Sequence, residues 1–145
     1  ASELGERYAS AYFDTIFCSD LERSYKTAEI AFRGRNFPII KDPRLRECDY
    51  GDMEGVSREI IKQERVRRIK TAFPNGESYE DTSHRMKEFL RDLSKNYEGK
   101  KVMIIGHRAT QYGLEHWINR IPLEEVVTAP WKWQPGWTYV MKDLN

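Results

Sequence analysis

Three short stretches of this sequence hold the side chains best suited to chemistry. Ser19 to Arg23 directly follow an apolar stretch, Phe13 to Cys18, and His107 directly follows another, Val102 to Gly106. Both are junctions where a strand hands over to a helix. Free backbone N–H groups and the helix dipole favour an anion at such places. The two-pronged guanidinium of Arg23 could grip a phosphate or carboxylate there; a solvated helix arginine is the plainer reading. His107 could hold a proton or face an oxyanion; a helix cap is the plainer reading. The third stretch, Asp42 to Gly55, carries five carboxylates in fourteen residues. It lacks the spacing and flanking helices of a calcium-binding EF-hand. One carboxyl beside an oxyanion site could instead have a raised pKa and serve as general acid. A solvated acidic loop accounts for the same residues.

Other features narrow the class. With 24 Lys+Arg against 23 Asp+Glu the net charge is +1, which excludes a globally basic, nucleic-acid-type surface. Two cysteines, Cys18 and Cys48, are too few for a disulfide framework or a structural zinc site, and a reducing, cytoplasmic setting is expected. Arg65 to Lys70 is locally basic and reads as an anion-attracting patch or a solvated helix face. Trp131, Trp133 and Trp137 could line a pocket or cover a sheet. His84 and His116 fall inside expected helices, away from strand ends. No apolar run approaches the length of a membrane span.

The elements that must position these groups alternate strand and helix. Strands are expected at 13–18, 37–40, 102–105 and 136–142. Ser19 with Glu22 has the spacing of a capping box, followed by a helix whose apolar face is Leu21, Tyr25, Ala28 and Phe32. Residues 57–72 read as a helix broken by Pro74-Asn75-Gly76. Ser78 caps an amphipathic helix with the stripe Met86, Phe89, Leu90, Leu93 and Tyr97, and a last helix is expected near 109–119. Apolar residues make up 39% of the 145, enough for the core of one domain over 1–145. The pattern implies an α/β three-layer sandwich, a mostly parallel sheet with helices on both faces.

In combination the motifs resemble the histidine phosphatase superfamily, also called phosphoglycerate mutase-like. Ser2-Glu3-Leu4-Gly5-Glu6-Arg7-Tyr8-Ala9 is similar to its first-helix pattern. Ser19 to Ser24, with Thr27 and Ala28, resembles its phosphate-gripping segment, and Leu45 to Gly55 its acid-donor loop. Asn75-Gly76-Glu77-Ser78 looks like its Gly-Glu-Ser turn, and Ile104-Ile105-Gly106-His107 like its second histidine motif.

The resemblance implies roles. Arg23 would grip phosphoryl oxygens, Glu47 would protonate the leaving oxygen, and His107 would hydrogen-bond the phosphoryl group. No metal or other cofactor is implied. The ligand would be a small phosphorylated substrate or inorganic phosphate, with no nucleic acid and no membrane; a homodimer is compatible. The family's nucleophile is a histidine in an Arg-His-Gly motif that ends a first, central strand neighbouring the one that leads to His107. No Arg-His-Gly occurs in these residues, so that strand is expected upstream of Ala1, and the 145 residues alone are expected to be inactive. The implied activity is phosphomonoester hydrolysis through a phospho-histidine. Phosphoglycerate-mutase-type transfer and a non-catalytic phospho-ligand or protein-binding relative stay open. Glu47-Cys48-Asp49-Tyr50-Gly51 differs from the glu-arg-his-tyr-gly of glycolytic mutases, which leans towards hydrolase.

Overall fold

A computed structural model of the chain describes residues 1–141. Three parallel strands form its sheet: β1 (Thr15–Cys18) lies between β2 (Ile39–Lys41) and β3 (Val102–Ile105). The register sets Ile16 beside Ile39 on one flank and Met103 on the other. All four residues of β1 are buried, which explains its unbroken apolar character. Successive strand side chains leave opposite faces, and here each face has its own helical layer. Ile16 and Cys18 pack with Ala28, Phe32, Met103 and Ile105 under α1 (Ser2–Arg7) and α2 (Glu22–Ala31). Phe17 packs with Met86, Phe89, Leu90, Val102 and Ile104 under α4 (Tyr79–Asn96) and α5 (Arg108–Trp117). The three-layer α/β sandwich expected from the alternation of elements is therefore present.

α4 follows its sequence closely. Ser78 Oγ accepts from Asp81 N, and Asp81 returns the bond to Ser78 N, a complete capping box. The stripe Met86, Phe89, Leu90 and Leu93 is buried. Each such side chain contributes about 1.5–3 kcal/mol by leaving water.

Three expectations are corrected. The helix expected over 57–72 ends early, as α3 (Arg58–Glu64). The carbonyls of Arg68 and Ile69 accept from Tyr79 N and Glu80 N, so they are not free for a continued helical ladder. Ser19 does not cap α2: Leu21 is its N-cap, and the Ser19 hydroxyl is used elsewhere. Within the expected final strand, residues 136–141 form no strand, and residue 142 lies outside the described residues. Tyr139 and Met141 do pack inward while Val140 points out. That is strand-like alternation without a backbone partner. A short helix, α6 (Leu123–Thr128), precedes this tail.

β3 has no strand on its outer side among the described residues, and its four apolar residues are only half-buried.

Candidate active site

Glu47 is placed by the segment between β2 and α3. Asp42 Oδ1 accepts from Arg44 N at 2.9 Å, starting a 3-10 turn at Pro43–Leu45. Leu45 is wholly buried in the layer of Phe17 and Phe89, which anchors the chain two residues before Glu47. A second 3-10 turn, Gly51–Met53, lies against the Pro74–Gly76 turn. A Cβ on Gly76 would stand 2.3 Å from the Asp49 carbonyl oxygen, so only glycine permits that approach.

The Glu47 carboxylate reaches the start of α5. Its Oε1 accepts from Cys48 N at 2.8 Å and from Ala109 N at 3.1 Å. Thr110 adds a bridge, accepting from His107 N and donating to Leu45 O, both at 2.9 Å. Burial raises the Glu47 pKa above the ordinary carboxylate value. The backbone amides and the Arg108 charge oppose that shift without cancelling it. A carboxyl that holds its proton more readily than usual suits a general acid.

Beside the cleft, the ends of β1 and β3 are joined by a short polar network. Ser19 is fully buried. Its N–H donates to Ser24 Oγ at 3.1 Å, and Ser24 Oγ donates to Ile105 O at 3.2 Å. Ser19 Oγ lies 2.9 Å from His107 Nε2. Burial, and then the Arg23 charge, push the His107 pKa down to about 4. The imidazole is therefore neutral at pH 7. Arg23 itself is exposed.

Arg23 and Glu47 line one open cleft, together with Tyr50, Arg65, Arg108 and Trp131 among others. His107 adjoins it without lining it, because its Nε2 is turned onto Ser19. Several cations of the cleft are committed: Arg44 to Asp42 and Asp92, Arg46 to Asp20, Lys26 to Glu22 and Arg85 to Glu77. Arg23, Arg65 and Arg108 make no ion pair among the described residues. Guanidinium groups free of ion pairs, lining the same cleft as a raised-pKa carboxyl, have the chemistry to hold an anion and to supply a proton. Among the described residues no three His, Cys, Asp or Glu converge as metal ligands would.

Other expected features fall differently. The basic segment 65–70 is turn rather than helix: Val66, Arg67 and Lys70 are exposed, but Arg68 and Ile69 are buried, with Arg68 held to Ala72 O and Glu64. Trp133 is 75% exposed and covers no sheet, whereas Trp131 stacks on Arg108, 4.3 Å from guanidinium carbon to ring centre. His84 is exposed, and His116 Nδ1 contacts Ile121 O. The sequence reading missed the Ser19–His107 contact, since Ser19 already had a local explanation. It also missed Arg85, whose partners lie up to 41 residues away. Glu77 stood inside the Gly-Glu-Ser turn, a signal that could have found it.

The profile of the histidine phosphatase superfamily (branch 1) matches residues 1–134, and the chain belongs to that superfamily. A Bacillus subtilis protein called uncharacterized phosphatase PhoE is 35% identical over 115 residues, covering 79% of this chain and 58% of that protein. Phosphoserine phosphatase 1 of Hydrogenobacter thermophilus is 30% identical over 115 residues, 74% of this chain and 54% of its own. Among solved structures, Bacillus stearothermophilus YhfR superposes with a TM-score of 0.78 at 28% identity, over 91% of this chain and 69% of that one. The chain thus spans little more than half the length of the curated relatives it matches. Relatives carry phosphatase and phosphoglycerate mutase names alike. No helix among the described residues is long and apolar enough to cross a membrane.

Proposed function

We propose that these residues form the phosphate-gripping and acid-donating part of a metal-independent phosphomonoesterase acting on a small phosphorylated metabolite. The observation that carries this reading is Arg23 and Glu47 lining one cleft, with His107 adjoining. Arg23 grips the phosphoryl oxygens. A histidine on a further strand, paired along the outer edge of β3, attacks phosphorus in line. As the N–P bond forms, the ester oxygen leaves with the Glu47 proton. His107, neutral and released from Ser19, donates a hydrogen bond to a phosphoryl oxygen. Glu47 then takes a proton from water, which cleaves the N–P bond and releases inorganic phosphate. Guanidinium groups supply the positive charge for this chemistry, and the neutral imidazole an N–H donor.

The Glu47-Cys48-Asp49-Tyr50-Gly51 loop supports hydrolysis over mutase-type transfer. The buried, unpaired Cys18 and Cys48 support a cytoplasmic setting. The test uses the protein with whatever upstream residues its gene encodes, incubated with phosphoglycerate and with phosphoserine. Release of inorganic phosphate is expected; movement of phosphate between positions without net release overturns the hydrolase reading. The alternative reading is a non-catalytic phospho-ligand module. Saturable binding of inorganic phosphate by a longer protein that turns over neither ester would establish it.

A further inference from the structure

We infer that Arg85 and Glu77 are positioning residues that hold the Glu47 carboxyl in place, an inference resting on the acid role just proposed. Arg85 stands in the second turn of α4 and spends its guanidinium on the Glu47 loop and on Glu77. Its Nη1 donates to Arg44 O at 3.0 Å and Arg46 O at 3.2 Å, and its Nη2 to Glu47 O at 3.3 Å. The same fork closes on Glu77, Nε to Oε2 at 2.9 Å and Nη2 to Oε1 at 2.7 Å. Glu77 Oε1 also accepts from Asp49 N at 3.0 Å. The loop is therefore gripped on both sides of Glu47, at 44, 46, 47 and 49.

Two features separate this from phosphate binding. A guanidinium has five N–H donors, and Arg85 makes five bonds here. None is left for a substrate oxygen. Both side chains are also largely shielded, 23% and 26% exposed, so the pair is a fixed strut. The residues it grips need one: between β2 and α3 the loop has only two 3-10 turns. Holding the Glu47 carbonyl fixes a carboxyl only two methylenes away, and the bond from Ala109 N completes the placement. A lysine, with a single point charge, cannot span three carbonyls and a carboxylate.

The experiment compares Arg85→Lys and Glu77→Gln with the parent protein, all carrying whatever upstream residues the gene encodes, in two measurements. The first is amide hydrogen exchange at Cys48 and Ala109, whose N–H groups bond the Glu47 carboxylate. Exchange is expected to accelerate about tenfold at both, while β1 amides stay protected. The second is turnover of an alkyl phosphate, whose alkoxide must be protonated, and of p-nitrophenyl phosphate, whose phenolate leaves unaided. On the alkyl ester kcat is expected to fall roughly 10- to 100-fold with KM unchanged, and on the aryl ester by no more than about twofold. Equal losses on both esters, or unchanged exchange at Cys48 and Ala109, overturn the inference. Glu47→Gln serves as reference. If it shows no difference between esters, or the parent turns over neither, the proposed function fails; amide exchange still decides whether the pair holds the carboxyl.

Discussion

The two walls of the cleft are built on opposite plans. On the Glu47 side, a loop with little secondary structure is pinned by backbone bonds to the Pro74–Glu77 turn, by Arg85 and by the start of α5. The Glu47 carboxylate oxygen is buried and already bonded. On the Arg23 side, the frame is regular strand and helix, yet the guanidinium is exposed and makes no ion pair among the described residues. A group that must hold a proton has to be kept out of water, so it needs an elaborate support. A group that must capture a dianion needs its donors free, and a helix start suffices to present them.

The comparison predicts effects of different kinds. Glu47→Gln should cost the most activity, about 10²- to 10⁴-fold in kcat on alkyl phosphates. The same substitution should raise stability by about 1 kcal/mol, since it removes a partly desolvated carboxylate while keeping an amide acceptor. Urea unfolding read beside kinetics checks both halves. Arg23→Gln should do the reverse, weakening inorganic phosphate binding by roughly 100-fold in calorimetry while leaving stability within about 0.5 kcal/mol. Equal stability losses on the two sides would erase the contrast.

Gly76→Ala tests the support without touching a functional group. Its Cβ would meet the Asp49 carbonyl at 2.3 Å, and a cost of about 1–3 kcal/mol is expected in thermal unfolding. The smallest effect is in pH dependence, where the walls oppose each other. An unfolded histidine binds its proton near pH 6.5, but folded His107 does so at about 4. Its contribution to stability is full above about 6.5 and is lost as pH falls towards 4. Glu47, with its folded pKa raised, contributes fully below its unfolded value and loses this as pH rises through the folded one. Unfolding of His107→Asn and Glu47→Gln across pH 4–7 should therefore change slope in opposite directions.

What could be read from the sequence follows the range of the interactions involved. β1, β3 and α4 were legible because their signals are local: unbroken apolar runs, and a cap followed by a stripe. Glu47, Arg23 and His107 stand out in the sequence because each sits in a short motif beside an element boundary. The partnership of Ser19 with His107 was not, because it spans 88 residues and a nearer capping explanation competed with it. The early end of α3 was hidden for the same reason: just beyond it, the carbonyls of Arg68 and Ile69 are taken by the start of α4. Tyr139 and Met141 imitate a strand in side-chain alternation, which cannot reveal whether a neighbour is there to complete the ladder.

The outer flank of β3 has a consequence for handling the protein. A half-buried Val-Met-Ile-Ile ribbon with open N–H and C=O groups along one side is a template for cross-chain pairing. Where nothing else covers that flank, these four residues favour self-association at high concentration.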